Sequence, residues 1–388
     1  MSESLIDRVR ERLAAESAPL RPSVVAAAIR AESGGVLGDT EVLSNLRMLQ
    51  TELTGFGILE PLLRAEGATD VMVTAPDAVW IDDGNGLRRS SIQFADEDAV
   101  RRLAQRLALG VGRRLDEAQP WVDGNLSGAA AGGQFTVRLH AVLAPVASGG
   151  TCISLRVLRP ATQDLATLTR AGAIAEEASA LLDGIIAARL AFLVSGGTGA
   201  GKTTLLAAVL GEVATNERIV CVEDAAELEP RHPHVVKLVA RCANIEGVGE
   251  ITVRDLVRQA LRMRPDRIVV GEVRGAEVVD LLAALNTGHD GGAGTVHANN
   301  PAEVPARLEA LAALGGLDRI ALHSQLAAAV QVLLHVGRDS KGMRRLTEIG
   351  VLRRDSGTVM VASAWSADTG FGSGADDLAS MLRARGAL

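Results

Sequence analysis

The segment Gly196–Thr204 carries the residue types and spacing that bind phosphate groups. It reads Gly-Gly-Thr-Gly-Ala-Gly-Lys-Thr-Thr and matches the pattern G-x-x-x-x-G-K-[ST] at every fixed position. Glycines allow backbone N–H groups to curl around phosphate oxygens, and the N-terminus of a following helix adds positive potential. An apolar strand pattern precedes the motif at Leu190–Ser195, and a helical pattern follows at Leu205–Leu210. This context predicts a nucleotide-binding loop rather than a chance glycine turn.

Each residue type in this loop has an expected role. Lys202 is expected to reach the β- and γ-phosphates, and the Thr203 hydroxyl to ligate Mg²⁺. The predicted ligands are therefore ATP and Mg²⁺. The residues predicted to bind the nucleotide are Gly196, Gly197, Thr198, Gly199, Ala200, Gly201, Lys202, Thr203 and Thr204.

Hydrolysis of a bound nucleotide also needs a carboxylate that orients water. The apolar pattern Arg267–Gly271 ends in Glu272, which is where a Walker B acid belongs, although Gly271 stands in the usual Asp position. We therefore predict that Glu272 is the general base or water-positioning residue, while Thr203 and water hold most of the metal. The alternative is a surface acid that caps the next turn.

A second acidic cluster follows the strand pattern Arg218–Cys221. It comprises Glu223, Asp224 and Glu227. Acids at strand ends next to a phosphate loop face the ligand crevice of an α/β sheet. Glu223 is predicted to position Mg²⁺-bound water, whereas Asp224 and Glu227 either join the site or cap and pair with nearby arginines.

Two histidines lie in the glycine-rich segment Thr287–Asn299. His289 and His297 follow the Glu272 region and are eight residues apart. Such a pair suggests a phosphate sensor or a subunit contact, and we predict that His297 belongs to the catalytic group. A zinc site is not expected, because no second cysteine or carboxylate ligand set lies at metal spacing.

Composition narrows the classes of protein to which these motifs can belong. The chain has 388 residues with a formal net charge of −7, and aromatic residues make up 2% with no tyrosine. This argues against a nucleic-acid-binding surface, which depends on basic and aromatic side chains. The three cysteines include no C-x-x-C pair and fit a reducing compartment. Without a secretory signal or an apolar run of about 18 residues, the chain is expected to be cytoplasmic.

Hydrophobic periodicity divides the chain into segments of different character. Over residues 174–365 strand and helix patterns alternate, which indicates a largely parallel sheet covered by helices. Its later patterns include a helix over 318–334 and a hairpin over 344–364 that turns at Asp355–Gly357. The stretch Gly128–Gly133 is predicted to be a loop. The expected segments are 1–50 (helical), 55–158 (small α/β domain), 159–173 (linker), 174–365 (α/β domain with the phosphate loop) and 366–388 (flexible tail).

The order of the motifs resembles that of the type II/type IV secretion traffic ATPases. Four segments resemble the family's Walker A, Asp box, Walker B and His box, namely Gly196–Thr204, Glu223–Glu227, Arg262–Gly275 and Thr287–Asn299. Within the family the chain looks most like the pilus-assembly ATPases of tight-adherence (Tad/Flp) systems. The segments that resemble that subfamily's N-terminal domain are Gly112–Ala118, Arg138–Val142 and Ser154–Arg156.

The resemblance implies a RecA-like ATPase domain over 174–365, a smaller PAS-like α/β domain before it, and a hexameric ring. Nucleotide would lie between the two domains, with arginines of the N-terminal domain reaching the γ-phosphate. The arginines that match are Arg138 and Arg156, with Arg113 behind them. Arg262 and Arg274 are further candidates from across a subunit boundary.

The implied function is Mg²⁺-dependent ATP hydrolysis that powers pilus assembly or protein secretion. The implied partners are further copies of the chain and an inner-membrane platform protein, through which the ATPase would be peripheral at the cytoplasmic membrane. Neither nucleic acid nor zinc is expected, since the tetracysteine module of some relatives is absent from this sequence.

Two other functions are compatible with parts of the sequence. RecA-like sheets also serve DNA-handling motors and recombinases, against which the net charge and the few aromatic residues argue. A non-catalytic, nucleotide-gated scaffold would follow if Gly271 in the Asp position weakened hydrolysis. The resemblance implies that this glycine is normal in the family, which favours the ATPase.

Overall fold

The computed structural model describes residues 8, 9, 12, 22–34, 38, 55–84, 86–126, 136–158, 163–244, 246–339 and 342–387. The chain divides into two units, Met1–Arg159 and Pro160–Leu388. Most of the predicted helical segment 1–50 and the predicted loop Gly128–Gly133 lie outside the described residues.

The first unit is built on a six-stranded antiparallel sheet with the order β3-β2-β1-β6-β5-β4. Its described helices are α1 (Pro22–Glu32), α2 (Glu60–Leu63) and α3 (Glu97–Gly110). Its strands are β1 (Asp70–Ala75), β2 (Ala78–Asp82), β3 (Leu87–Arg89), β4 (Trp121–Leu126), β5 (Thr136–Val142) and β6 (Cys152–Leu158).

One face of this sheet is apolar and the other is polar. Successive side chains of a strand point to opposite faces, so Val71 and Val73 of β1 are buried while Met72 between them is half-buried. Helix α3 covers the apolar face, and Leu103 joins the core there. The helix begins after Asp96, whose carboxylate accepts a hydrogen bond from the backbone N–H of Ala99. The opposite face carries mostly polar side chains, with Met72 and Trp80 half-buried among them.

The second unit contains a nine-stranded mixed sheet with helices on both faces. Its described helices are α4 (Leu165–Arg170), α5 (Glu176–Ala187), α6 (Lys202–Gly211), α7 (Val253–Ala260), α8 (Glu277–Leu285), α9 (Val304–Leu314), α10 (Arg319–Ala329) and α11 (Ala375–Ala384). Its strands are β7 (Phe192–Gly196), β8 (Ile219–Glu223), β9 (Val235–Val239), β10 (Arg267–Val273), β11 (Ala293–His297), β12 (Val332–Arg338), β13 (Arg344–Asp355), β14 (Thr358–Ser366) and β15 (Gly370–Phe371).

The strand order places the phosphate-loop strand inside the sheet. The order is β15-β14-β13-β12-β7-β11-β10-β8-β9, and the strands from β12 to β9 are parallel to their neighbours. Every residue of β7 and β8 is buried, as expected for parallel strands that helices cover on both faces. One apolar core holds residues of α4, α5, α6 and α11, and the other holds residues of α7 to α10.

The predicted linker and the predicted flexible tail are both wrong in part. Residues 165–170 of the linker form α4, which buries Leu165 and Leu168. The tail contains β15 and α11, which buries Leu378 and Leu382. These leucines lie three and four residues apart, so each pair occupies one buried face of its helix. Pro160, several threonines and Gly172 favoured the mistaken linker, and a composition rich in Gly, Ser and Asp favoured the mistaken tail.

Near the end of the second unit, the structure corrects the bounds of one predicted helix and confirms a predicted hairpin. The helix predicted over 318–334 ends at Ala329, because Val332 begins the buried strand β12. The predicted hairpin is confirmed as β13 and β14, with Asp355 opposite Thr358. Ser356 and Gly357 between them both have positive φ, which is the backbone of a tight two-residue hairpin turn.

Candidate nucleotide-binding site

The predicted phosphate loop connects β7 to α6. Three of its glycines have backbone angles that favour glycine, with φ of +154° at Gly196, +67° at Gly199 and +101° at Gly201. A Cβ atom on Gly196 would lie 2.4 Å from the carbonyl oxygen of Val336, so no side chain fits there. Helix α6 begins at Lys202, directly after the left-handed Gly201. The loop therefore aims the N-terminus of a ten-residue helix at its own concave side.

Lys202 is held inside the loop. Only 8% of the residue is exposed, and its Nζ atom donates hydrogen bonds to the carbonyl oxygens of Gly196 (3.1 Å) and Gly197 (2.9 Å). Both ring nitrogens of His297 lie 3.4 Å from Nζ. Burial lowers the pKa of Lys202, while the Glu272 carboxylate acts in the opposite direction. The loop carbonyls offer the buried ammonium group only the partial negative charge of a dipole. An anionic ligand would supply a full counter-charge.

Glu272 lies near the end of β10 with both carboxylate oxygens in contact with a neighbour. Its Oε1 atom is 2.5 Å from His297 Nε2, and its Oε2 atom pairs with Arg274. Arg274 also donates a hydrogen bond of 2.7 Å to Asp224. Burial and then the Lys202 charge lower the pKa of His297, so its imidazole is neutral near pH 7. The predicted water-positioning acid and the predicted catalytic histidine are therefore adjacent, beside Lys202.

Glu223 is the most deeply buried acid of the group, with 3% of the residue exposed. Its Oε1 atom accepts hydrogen bonds from the backbone N–H groups of Glu227 (3.1 Å) and Leu228 (2.9 Å). Its Oε2 atom is buried without a hydrogen-bond partner in the described structure. Burial raises the pKa of Glu223 to about 7. The carboxylate is therefore poised between its two protonation states.

The glycine in the usual Asp position has a steric cause. Strands β8 and β10 are paired, so Gly271 lies beside Glu223. A Cβ atom on Gly271 would come within 2.7 Å of Glu223 Cγ. The side chain of Glu223 therefore occupies the space that an aspartate at position 271 would need.

The two residues predicted to hold magnesium both offer oxygen donors. Mg²⁺ prefers oxygen ligands and usually keeps several waters. The unpartnered Oε2 atom of Glu223 and the hydroxyl of Thr203 are such donors. Within the described ranges no three His, Cys, Asp or Glu side chains cluster at metal-binding distance, so phosphate oxygens and water would complete the set.

The arginines predicted in the first unit lie on the polar face of its sheet. Arg138 of β5 and Arg156 of β6 are directly opposite each other in the register. Like charges in that position repel, and each guanidinium pairs with an acid of a neighbouring strand. Arg138 Nη2 lies 2.9 Å from Asp123, and Arg156 Nε lies 2.9 Å from Asp70. Arg113 is half-buried just beyond the end of α3.

Of the three remaining candidates, His289 and Arg262 lie away from the phosphate loop, whereas Arg274 lies near it. His289 precedes β11 and donates from Nδ1 to the carbonyl oxygen of Ala284. It therefore lies at the end of the strand opposite to His297. Arg262 is exposed and precedes β10, at the end opposite to Glu272. Neither joins the loop within this chain, whereas Arg274 does so through Glu272.

His335 contacts the loop strand and was not predicted. Its Nδ1 atom lies 2.8 Å from Ser195 Oγ, one residue before the loop, because β12 and β7 are paired. Burial lowers its pKa, so it is a neutral buried imidazole. No local pattern distinguishes this histidine from its apolar neighbours, and the two residues are 140 positions apart.

Comparison with known proteins agrees with this architecture. Residues 52–361 match the family described as "Type II/IV secretion system protein". A relative from Mycobacterium tuberculosis, named a "putative conjugal transfer protein", is 76% identical over 350 residues, which are 90% of this chain and 99% of the relative. The type IV secretion system protein PtlH of Bordetella pertussis is 31% identical over 74% of this chain and 91% of its own length.

Two solved structures share the fold. The ATPase DotB of Legionella pneumophila has a TM-score of 0.52 at 20% identity and covers 75% of this chain and 78% of its own. The pilus retraction motor PilT with bound ADP has a TM-score of 0.52 at 22% identity, and covers 79% and 81% of the two chains.

The fold class expected from the sequence is confirmed as α/β, with a RecA-like fold in the second unit after a smaller α/β domain. The likeness of the smaller domain to PAS domains stays a prediction, and most of the expected helical segment 1–50 lies outside the described residues. The expected family is confirmed as well. By sequence match over most of its length, this chain belongs to the family of type II/IV secretion system proteins.

Proposed function

We propose that this protein is an ATPase that hydrolyses ATP with Mg²⁺ to drive pilus assembly or protein secretion through an inner-membrane platform protein. The observation that carries the proposal is the meeting of Lys202, His297 and Glu272 beside a glycine loop at the N-terminus of α6. Each of these three side chains comes from a different element of the second unit.

Binding of ATP begins with the buried lysine. The Lys202 ammonium group exchanges the carbonyl oxygens of Gly196 and Gly197 for β- and γ-phosphate oxygens, which carry full negative charge. Backbone N–H groups of the loop and of the first turn of α6 receive the remaining phosphate oxygens. The gain in binding free energy is large because burial has already removed water from the ammonium group before the ligand binds.

Hydrolysis then depends on Glu272. Its carboxylate accepts a proton from water while the water oxygen bonds to the γ-phosphorus and the bond from that phosphorus to the ADP oxygen breaks. Arg274 pairs with Oε2 of the carboxylate, while Oε1 lies beside His297, is buried without a hydrogen-bond partner in the described structure, and is left to accept the proton. Because His297 is neutral, it does not compete with Lys202 for the charge of the phosphates.

Thr203 and Glu223 are the residues that would hold the metal, Glu223 partly through water. Mg²⁺ supplies charge neutralisation at the β- and γ-phosphate oxygens when it is bound. A cation beside the unpartnered Oε2 atom would favour the ionised form of Glu223.

Arginines of the first unit are proposed to stabilise the charge that builds up on the transferred phosphoryl group. Arg138 and Arg156 are supported by their position on the polar face of the sheet and by their pairing with solvent-accessible carboxylates, since ion pairs of that kind are exchanged at little cost. A hexameric ring is proposed from the family resemblance.

The cellular setting is proposed on the same basis. No helix in the described part of the chain is long and apolar enough to cross a membrane. Attachment to the cytoplasmic face through a platform protein fits the family, as does a pilus system of the Tad/Flp kind. The relatives' printed names point to conjugal transfer and type IV secretion, which use the same class of motor.

ATP hydrolysis measured against protein concentration tests the proposal. We expect activity per subunit to rise with concentration, and Lys202→Ala and Glu272→Gln to abolish it. Glu250→Gln is the matched control for Glu272→Gln, since Glu250 is exposed. Wild-type turnover in the Lys202→Ala protein would overturn the proposal, and ATP binding without turnover at any concentration would favour the nucleotide-gated scaffold.

A further inference from the structure

A second pair of arginines lies beside the phosphate loop. Arg338 ends β12 and Arg344 begins β13, and the two are directly opposite each other in the register. Both residues are exposed. Like charges directly opposite each other on an antiparallel pair of strands are destabilising. Strands β12 and β13 therefore keep an electrostatically unfavourable pair of arginines next to the phosphate loop.

The described structure gives these two arginines no acidic partner. Arg338 donates to the carbonyl oxygen of Gly342 (3.1 Å), and Arg344 has no ion pair among the described residues. The nearest acid in sequence, Asp339, pairs with Arg345 and accepts from the Met343 N–H. Arg138 and Arg156 form the same kind of opposed pair, but each of them has an aspartate.

Both side chains reach the glycines of the loop. Arg338 Nη2 lies 3.5 Å from the carbonyl oxygen of Gly199. The aliphatic stem of Arg344 packs on Gly201, where a Cβ atom would be 3.6 Å from Arg344 Cδ. The Arg338 guanidinium group and the stem of Arg344 therefore lie against the stretch of loop whose N–H groups bind phosphate oxygens.

The strand order decides which end of the nucleotide they would meet. Strand β7 has β11 and then β10 on one side, and these carry His297 and Glu272. It has β12 and β13 on the other side, and these carry Arg338 and Arg344. The phosphate that is hydrolysed must lie beside Glu272, so the opposite flank meets the nucleoside end of the phosphate chain.

We propose that Arg338 and Arg344 bind the α-phosphate end of the nucleotide. This inference rests on the proposed ATPase function and adds to it two binding residues on the flank away from the hydrolysed bond. Guanidinium groups suit this task because they stay charged and donate to phosphate oxygens with a fixed fork geometry. An anion between them would also remove the repulsion within the pair.

The affinity for ADP and for ATP, measured by calorimetric titration in EDTA, tests this proposal. We expect Arg338→Ala and Arg344→Ala each to weaken both nucleotides about tenfold, in line with charged hydrogen bonds. The turnover number at saturating ATP is expected to change less than threefold, because the contact is the same before and during hydrolysis. Arg354→Ala is the matched control, about 30 Å along β13 from Arg344.

Thermal unfolding without nucleotide separates binding from a structural role. Removal of one arginine from a repelling pair is expected to leave the melting temperature unchanged or to raise it. Unchanged affinity for both nucleotides, or a loss for ATP without a loss for ADP, would overturn the proposal. Unchanged ADP affinity in Lys202→Ala would instead overturn the proposed function itself, whatever the arginine variants do.

Discussion

The polar face of the first unit's sheet and the strand ends of the second unit's sheet both carry ionised side chains, but in opposite ways. On the first, Arg156 is 55% exposed and each arginine has one carboxylate beside it. On the second, Lys202 and Glu223 are almost completely buried, and each has an incomplete set of partners.

The difference follows from the free energy of solvation. Burial of an ionised group without a full partner costs several kcal/mol, so such a group persists where a ligand completes it. An exposed ion pair contributes about 0–1 kcal/mol and is easily exchanged. Permanent ligand contacts are therefore expected from the second unit, and transient ones from the first. The following predictions test this contrast, from the largest expected effect to the smallest.

Arg156→Ala and Arg138→Ala are expected to lower the turnover number roughly a thousandfold, the usual contribution of an arginine that stabilises phosphoryl transfer. The free energy of unfolding should change by less than about 1 kcal/mol, since only an exposed pair is lost. Steady-state ATP hydrolysis and urea unfolding measure the two effects. If both variants retain turnover within threefold of wild type, arginines of the first unit take no part in hydrolysis.

Gly271→Asp is expected to lower the free energy of unfolding by about 3 kcal/mol. The new Cβ atom would collide with Glu223 Cγ at 2.7 Å, and a second carboxylate would be buried beside the first. Urea unfolding measures the loss, and Gly211→Ala is the control, since the atoms around its Cβ position lie at 3.8 Å or more. A variant as stable as wild type would show that Glu223 does not exclude a side chain here.

Position 271 also shows how far the sequence predicts the site. The glycine loop, Lys202 and the acids at strand ends could be predicted because they depend on local pattern and on the parallel arrangement of alternating strands and helices. The steric reason for the glycine at position 271 could not be predicted, because it depends on the pairing of β8 with β10. His335 and the opposed pair Arg338 and Arg344 depend in the same way on where β12 and β13 enter the sheet.

The fold shows a similar limit. The alternation of strands and helices in the second unit was predicted from periodicity and agrees with the structure. The tail was mistaken because its glycines and serines outweighed the helical spacing of Leu378 and Leu382. Burial against the sheet stabilises that helix, and a composition argument does not include such tertiary packing.

His335→Gln is expected to lower the free energy of unfolding by about 1 kcal/mol at pH 7.5, through loss of the contact with Ser195 Oγ. Burial depresses the pKa of the folded-state imidazole, so its contribution is present above the unfolded value near 6.5 and is lost as the pH falls below it. The difference between wild type and variant should therefore shrink from pH 7.5 to pH 5.5 in urea unfolding. A difference that grows over this range would mean that His335 is protonated in the folded protein.

Asp123→Asn is expected to have the smallest effect. It removes the charge that faces Arg138 but keeps a hydrogen-bond acceptor, and the pair is exposed. The free energy of unfolding should change by less than about 0.5 kcal/mol, and ATP turnover should stay the same or rise. Urea unfolding and steady-state hydrolysis measure both. A tenfold loss of turnover would show that Arg138 acts only while Asp123 holds it.

The pairing of β7 on both sides has a mechanical consequence. Phe192–Gly196 is bonded along its full length to β11 and also to β12. A pull along this strand loads both rows of hydrogen bonds in shear, so they resist together instead of opening one after another. Strand β7, from which the phosphate loop begins, is therefore stiff. A close-packed core has low compressibility and transmits strain. Under the proposed ATPase function, force produced at the nucleotide would bend the peripheral loops and the antiparallel end of the sheet before it stretched the strand that precedes Lys202.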